Sequence, residues 1–171
     1  MIKKIFLTAA ILLSTLTPSF ANEQFFAWGA GQWDVKGFRG DATTGPHCGA
    51  ITTWDDGSYL TIIKDKNSGE LWAAMVNNDW NIGDPAGKFS NYVSQFNFVS
   101  SSGRMTSGTI AYELVDNRTV YFHGLTDRFV IDWINYREWQ IVMPGNIGNV
   151  RVGLKGTARV ADAFVACIQQ L

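Results

Sequence analysis

The chain has 171 residues, 46% of them apolar and 17% charged, with a formal net charge of −1 at pH 7. That balance excludes a disordered polyelectrolyte and supplies enough side chain for the core of one ordinary domain. Residues 1–21 read as an export signal that carries Lys3 and Lys4, so the remaining chain holds 12 basic and 15 acidic residues, a charge of −3, with no basic excess of the kind that draws a protein to nucleic acid.

Met1 to Lys4 form a short basic start, Ile5 to Leu16 an almost unbroken apolar run, and Ser19-Phe20-Ala21 a small-x-small peptidase site. Cleavage is expected after Ala21, releasing residues 22–171 as a single β-rich domain, periplasmic or secreted. The apolar run falls short of the ~20 helical residues needed to cross a bilayer, and no later run is longer, so no membrane span is expected in the mature form. The only cysteines, Cys48 and Cys167, both follow the signal. In an oxidising compartment an isolated pair of this kind is expected to be a disulfide rather than two free thiols.

From Gln32 to Phe38, Trp33 and Val35 alternate with Asp34 and Lys36, the pattern of a strand with one wet face. Ala50–Trp54 and Tyr59–Lys64 are two further β-rich runs, and Asp55-Asp56-Gly57-Ser58 between them predicts a hairpin. Leu71 to Val76 is apolar on both faces, which predicts a central strand covered on both sides. Residues 77–88, rich in Asn, Asp and Gly, predict a loop with Trp80 and Ile82 as its apolar members.

Phe89 to Val99 predicts another strand, turned by Ser100 to Gly103; the alternation of Ile110, Tyr112 and Leu114 predicts the next, and Asp116-Asn117-Arg118 leads into Thr119–His123. Thr126 to Tyr136 carries the i,i+4 pairs Phe129/Trp133 and Val130/Ile134, and Thr126 with Asp127 favours a helix start. Trp139, Ile141 and Met143, then Val150, Val152 and Leu154, alternate as strands. Val160, Phe164, Cys167, Ile168 and Leu171 recur at helical spacing behind Thr157, read as the N-cap. The expected fold is therefore mainly β, a single-domain antiparallel sandwich or small barrel of about eight or nine strands, closed by a C-terminal amphipathic helix.

Chemistry-bearing motifs are scarce. The chain has no Gly-x-Ser-x-Gly elbow, phosphate-binding glycine loop, His-Glu-x-x-His or Cys-x-x-Cys. His47 and His123 are the only histidines, and two ligands alone do not fill a zinc site. Asp55 and Asp56 have the chemistry of a glycosidase pair, but in an Asp-Asp-Gly turn such side chains satisfy backbone donors. Asp65, Asn67 and Gly69 make only part of a calcium loop and read as a hairpin turn. No metal, cofactor or catalytic residue is assigned.

Aromatic residues are 13% of the chain, including seven tryptophans. Flat exposed rings stack on sugars or anchor a protein partner. Trp80 is the first candidate, because Asn78, Asp79 and Asn81 surround it with polar groups; Trp28, between Ala27 and Gly29, is the second. The function expected from sequence is an exported, non-enzymatic binding protein with a protein or glycan partner. Its alternative is a small secreted hydrolase of carbohydrate or peptidoglycan.

Overall fold

The computed structural model describes residues 23–40, 45–82, 92–143 and 147–171, so the export-signal reading lies outside the described residues. Ten strands and two helices follow in the order β1 Gln24–Ala30, β2 Trp33–Phe38, β3 His47–Thr53, β4 Tyr59–Asp65, β5 Leu71–Val76, β6 Tyr92–Val99, β7 Met105–Leu114, β8 Thr119–Leu125, α1 Asp127–Asn135, β9 Glu138–Met143, β10 Gly148–Gly153 and α2 Thr157–Ile168. All ten strands belong to one antiparallel sheet ordered β1-β2-β3-β4-β5-β8-β7-β6-β9-β10. The mainly β, antiparallel expectation with its C-terminal helix is borne out, but the sheet neither splits into a sandwich nor closes into a barrel.

The topology gives the reason. Hairpins carry the chain from β1 to β5; the β6-β7-β8 meander is then laid down in reverse, so that β5 meets β8 and β6 remains free to take β9. Every interior strand thus finds a partner on both sides. The sheet curls far enough for Gln32 Nε2, in the first turn, to donate to Gly153 O of β10 at 3.4 Å, yet no ladder joins β1 to β10 among the described residues.

The extra strand is β1. Its sequence, Gln-Phe-Phe-Ala-Trp-Gly-Ala, lacks clean alternation, and its pairing with β2 shifts register between Gln24 and Phe26. Trp28 therefore sits in an edge strand, half-buried against the core. The β1–β2 connection needs Gly31, whose φ of 66° suits a tight hairpin turn that a side chain would strain.

Both helices lie on the same face of the sheet. Helix α1 drops Trp133 edge-on to Trp33 of β2, ring centroids 5.1 Å apart, and Phe129 onto Trp139 of β9 at 5.1 Å. Thr126 occupies its N-cap position, though its side chain makes no capping hydrogen bond, and Asp127 lies in its first turn, as the sequence predicts. Helix α2 packs across β1, β2 and β3 and is joined to the sheet by the Cys48–Cys167 disulfide, with Cα atoms 6.1 Å apart. Gly37 is required beneath it, because a Cβ there would stand 2.6 Å from Cys167 Sγ and 2.7 Å from Phe25 Cζ. The N-cap of α2 is Gly156 rather than Thr157. The Thr157 hydroxyl is instead buried and shared between Trp133 O at 3.0 Å and Leu154 O at 2.9 Å, tying the start of α2 to α1.

Strand β5 is central, as its apolar run predicts, but it is not covered on both sides. Leu71, Ala73 and Met75 point into the core, whereas Trp72, Ala74 and Val76 belong to the opposite face, which carries neither helix.

Candidate functional site

Trp80 follows the end of β5 in a stretch fastened at both sides. Asn77 N donates to Arg118 O at 3.1 Å and Ile82 N to Asn117 O at 3.0 Å, which ties the loop to the β7–β8 turn. Towards the β3–β4 turn, Asn78 N donates to Ser58 Oγ at 3.1 Å and Asn78 Nδ2 to Asp56 O at 2.8 Å. Asn78 thus fastens the loop to the β3–β4 turn, while Asp79 and Asn81 are exposed. The Trp80 ring is half-buried, one side packed on the core.

That arrangement brings Trp80 to a cleft of about 280 Å³ that it shares with Trp54, Asp56, Ser58 and, from β10, Val150 and Arg151. Trp54 is 39% exposed. The curl of the sheet is what delivers β10 to the far ends of β3 and β5, so neither Trp54 nor Arg151 was recognisable as a neighbour of Trp80 from spacing alone. Trp28, in the edge strand, is not among the residues lining this cleft.

Asp56 is the carboxylate of the cleft, and its two oxygens are committed to the turn. They accept from Ser58 N at 2.9 Å and Ser58 Oγ at 2.8 Å. The Ser58 backbone N–H, then its hydroxyl, hold the Asp56 carboxyl below its ordinary value. A group so held favours the ionised side chain and is a poor general acid at neutral pH. Its folded value lies below the unfolded one, so its contribution to stability is complete above about pH 4 and is lost as the pH falls through the lowered folded value. Asp56→Asn is accordingly expected to melt less acid-sensitively than the parent below pH 4, a difference read by thermal unfolding at pH 3 and pH 7. Equal acid-induced shifts in the two proteins would contradict the role of this turn.

The other polar candidates do not converge. His47 lies on β3 with its Nδ1 2.9 Å from Gly45 O, and His123 lies on β8 with its Nε2 3.4 Å from a Glu113 carboxylate oxygen. Two strands, β4 and β5, separate β3 from β8. Asp65, of the supposed calcium loop, accepts from Ser68 N at 2.8 Å and Ser68 Oγ at 3.1 Å, an ordinary turn. Among the described residues no group of three or more His, Cys, Asp or Glu could hold a metal ion, and no helix is long and apolar enough to cross a membrane.

A second concavity occupies the sheet face opposite the helices. Strand register sets Lys36 beside Gly49, Gly49 beside Ile63 and Ile63 beside Trp72; the neighbouring row runs Ile51, Thr61, Ala74, Tyr121. Gly49 and Ala74 are small where their neighbours are large, which leaves a trough of about 480 Å³ across the middle of the face. Trp72 and Tyr121 form one wall, ring centroids 5.3 Å apart and inclined by 38°. The legible signal was that Ile51, Ile63, Trp72 and Tyr121 are apolar bulk in runs that pair onto β2, whose face carrying Asp34 and Lys36 reads as wet. Comparison with protein-family models, with curated proteins and with solved structures found no match to the chain.

Proposed function

We propose that this chain is an exported binding protein rather than an enzyme, and that the Trp54–Trp80 cleft is its recognition site for a protein or glycan partner. The observation that supports this reading is the pairing of two tryptophans from separate loops beside Arg151, around an opening whose one carboxylate is tied into a turn. Tryptophan and arginine are the residue types that anchor interfaces, and a loop cross-linked to two turns presents them with little ordering cost. Export rests on the basic start, apolar run and Ala21 site, and accords with a disulfide-bonded domain.

The test uses the oxidised protein immobilised against envelope and host extracts, beside Trp54→Ala and Trp80→Ala. Each replacement is expected to weaken capture of the specific partner by about 2 kcal/mol or more while leaving cooperative unfolding in place. Retention of the partner by both variants, or a Trp80→Ala protein that no longer folds, overturns the assignment. The hydrolase alternative predicts turnover of peptidoglycan or glycan that Asp55→Asn or Asp56→Asn abolishes. The binding reading predicts no turnover by the parent.

A further inference from the structure

We infer that the trough on the helix-free face of the sheet is a second binding site, separate from the tryptophan cleft, and that its ligand is a small amphipathic anion: a flat apolar body carrying one carboxylate or sulfonate.

Three features of the trough carry this. Its volume, about 480 Å³, is enough to hold a small molecule. Its walls are the Trp72–Tyr121 pair on one side and Ile51 with Tyr59 on the other, half-buried and facing solvent across a floor of Gly49, Thr61 and Ala74. The floor is buried beneath these walls although neither helix lies on this side: Ala74 is 4% exposed and Thr61 6%. The Thr61 hydroxyl oxygen has no hydrogen-bond partner among the described residues, and it lies over Gly49, where a Cβ would stand 3.6 Å from it. A buried hydroxyl left without a partner costs free energy that a ligand group able to bond it recovers.

The charge of the lining selects the class of ligand. No carboxylate and no side-chain amide lines the trough, so it lacks the planar groups that grip the adjacent hydroxyls of a sugar. Its one permanent charge is Lys36, which makes no ion pair among the described residues; His47 stands at the same end, its ring centroid 5.3 Å from that of Phe38 and inclined by 33°. Asp34, two residues from Lys36 on the same face, does not line the trough; its carboxylate leans towards the edge strand and occupies the space over Gly29. Asp65, beside His47, is bonded to Ser68. An anionic head at Lys36 with an apolar body along Trp72 and Tyr121 matches both the charge and the rings.

The probe is 8-anilinonaphthalene-1-sulfonate, with N-phenyl-1-naphthylamine as the same ring system lacking the sulfonate. Titrated into the folded, oxidised protein and followed by probe fluorescence, the sulfonate is expected to bind at one site per chain, and the uncharged analogue about tenfold more weakly. Lys36→Glu is expected to abolish that preference while leaving the uncharged probe unaffected. Gly49→Val, whose side chain rises from a floor with room for a Cβ, is expected to remove both. Trp80→Ala is expected to change neither, which separates this site from the tryptophan cleft. Equal binding of the two probes, sulfonate binding indifferent to Lys36→Glu, or no saturable binding overturns the inference. Should Gly49→Val fail to fold, the half-buried Lys36 position and the two-probe comparison decide alone.

Discussion

Removing the Cys48–Cys167 bridge is expected to lower the free energy of unfolding by about 2–5 kcal/mol. The two cysteines are 119 residues apart, and closing so long a loop removes about 4–5 kcal/mol of chain entropy from the unfolded state in the entropy model. Both side chains are fully buried, and Cys167 Sγ fills the space above Gly37 that any larger residue would contest. The clean comparison is the double variant Cys48→Ala/Cys167→Ala against the parent in urea, because a single replacement leaves a buried thiol behind. A larger denaturant slope is expected along with the lower midpoint, since the unbridged chain exposes more surface when it unfolds. An unchanged midpoint would show that the bridge constrains little. Mass analysis after alkylation without reductant checks the premise: the native parent should take up no label.

A comparable loss is expected from Trp139→Ala. This side chain is wholly buried and meets Phe122 at 5.5 Å, Phe129 at 5.1 Å and Phe98 at 6.2 Å, so one ring joins β9 to β8, to α1 and to β6. Truncation to alanine at such a site costs about 3–5 kcal/mol, through lost burial and the cavity left in a close-packed interior. Trp139→Phe is the informative partner. The indole N–H has no acceptor among the described residues, so phenylalanine gives up ring volume without breaking a hydrogen bond. It is expected to cost less than half as much as alanine. Equal costs for the two replacements would show that something other than ring packing holds this junction.

The elements with one wet face were legible because burial imposes a period of two: Trp33 and Val35 against Asp34 and Lys36 could be read only one way. Helix α1 was legible for the converse reason, its buried pair Phe129 and Trp133 falling four residues apart. Strand β1 was hidden because its exposed positions, Ala27 and Gly29, are small and non-polar and its register shifts between Gln24 and Phe26, so burial that alternates from Phe26 to Ala30 leaves no polar alternation in the sequence. One sheet rather than two was hidden because strand order is a long-range property. Nothing local tells β5 to pair with β8 instead of β6. The Thr157 misreading has a related cause: the hydroxyl is drawn into a buried contact with Trp133 O of α1, a tertiary partner that local spacing does not show, and Gly156, at φ 92°, takes the N-cap position. Trp80 stood out in the sequence as a lone ring among polar residues, whereas Trp54 arrives through the β3-β4-β5 pairing and Arg151 through the curl of the sheet.

Because Cys48 lies on β3 and Cys167 on α2, 119 residues later, the bridge can close only after both elements have been made and α2 has docked on the sheet. The bridge therefore marks a chain in which α2 has been made and docked. A product clipped anywhere ahead of Cys167 keeps a free thiol at Cys48 on a face that α2 no longer shields, whereas the bridged chain has no free cysteine among its described residues. Thiol-dependent quality control could tell the two apart from that single sulfur, with no need to recognise the fold.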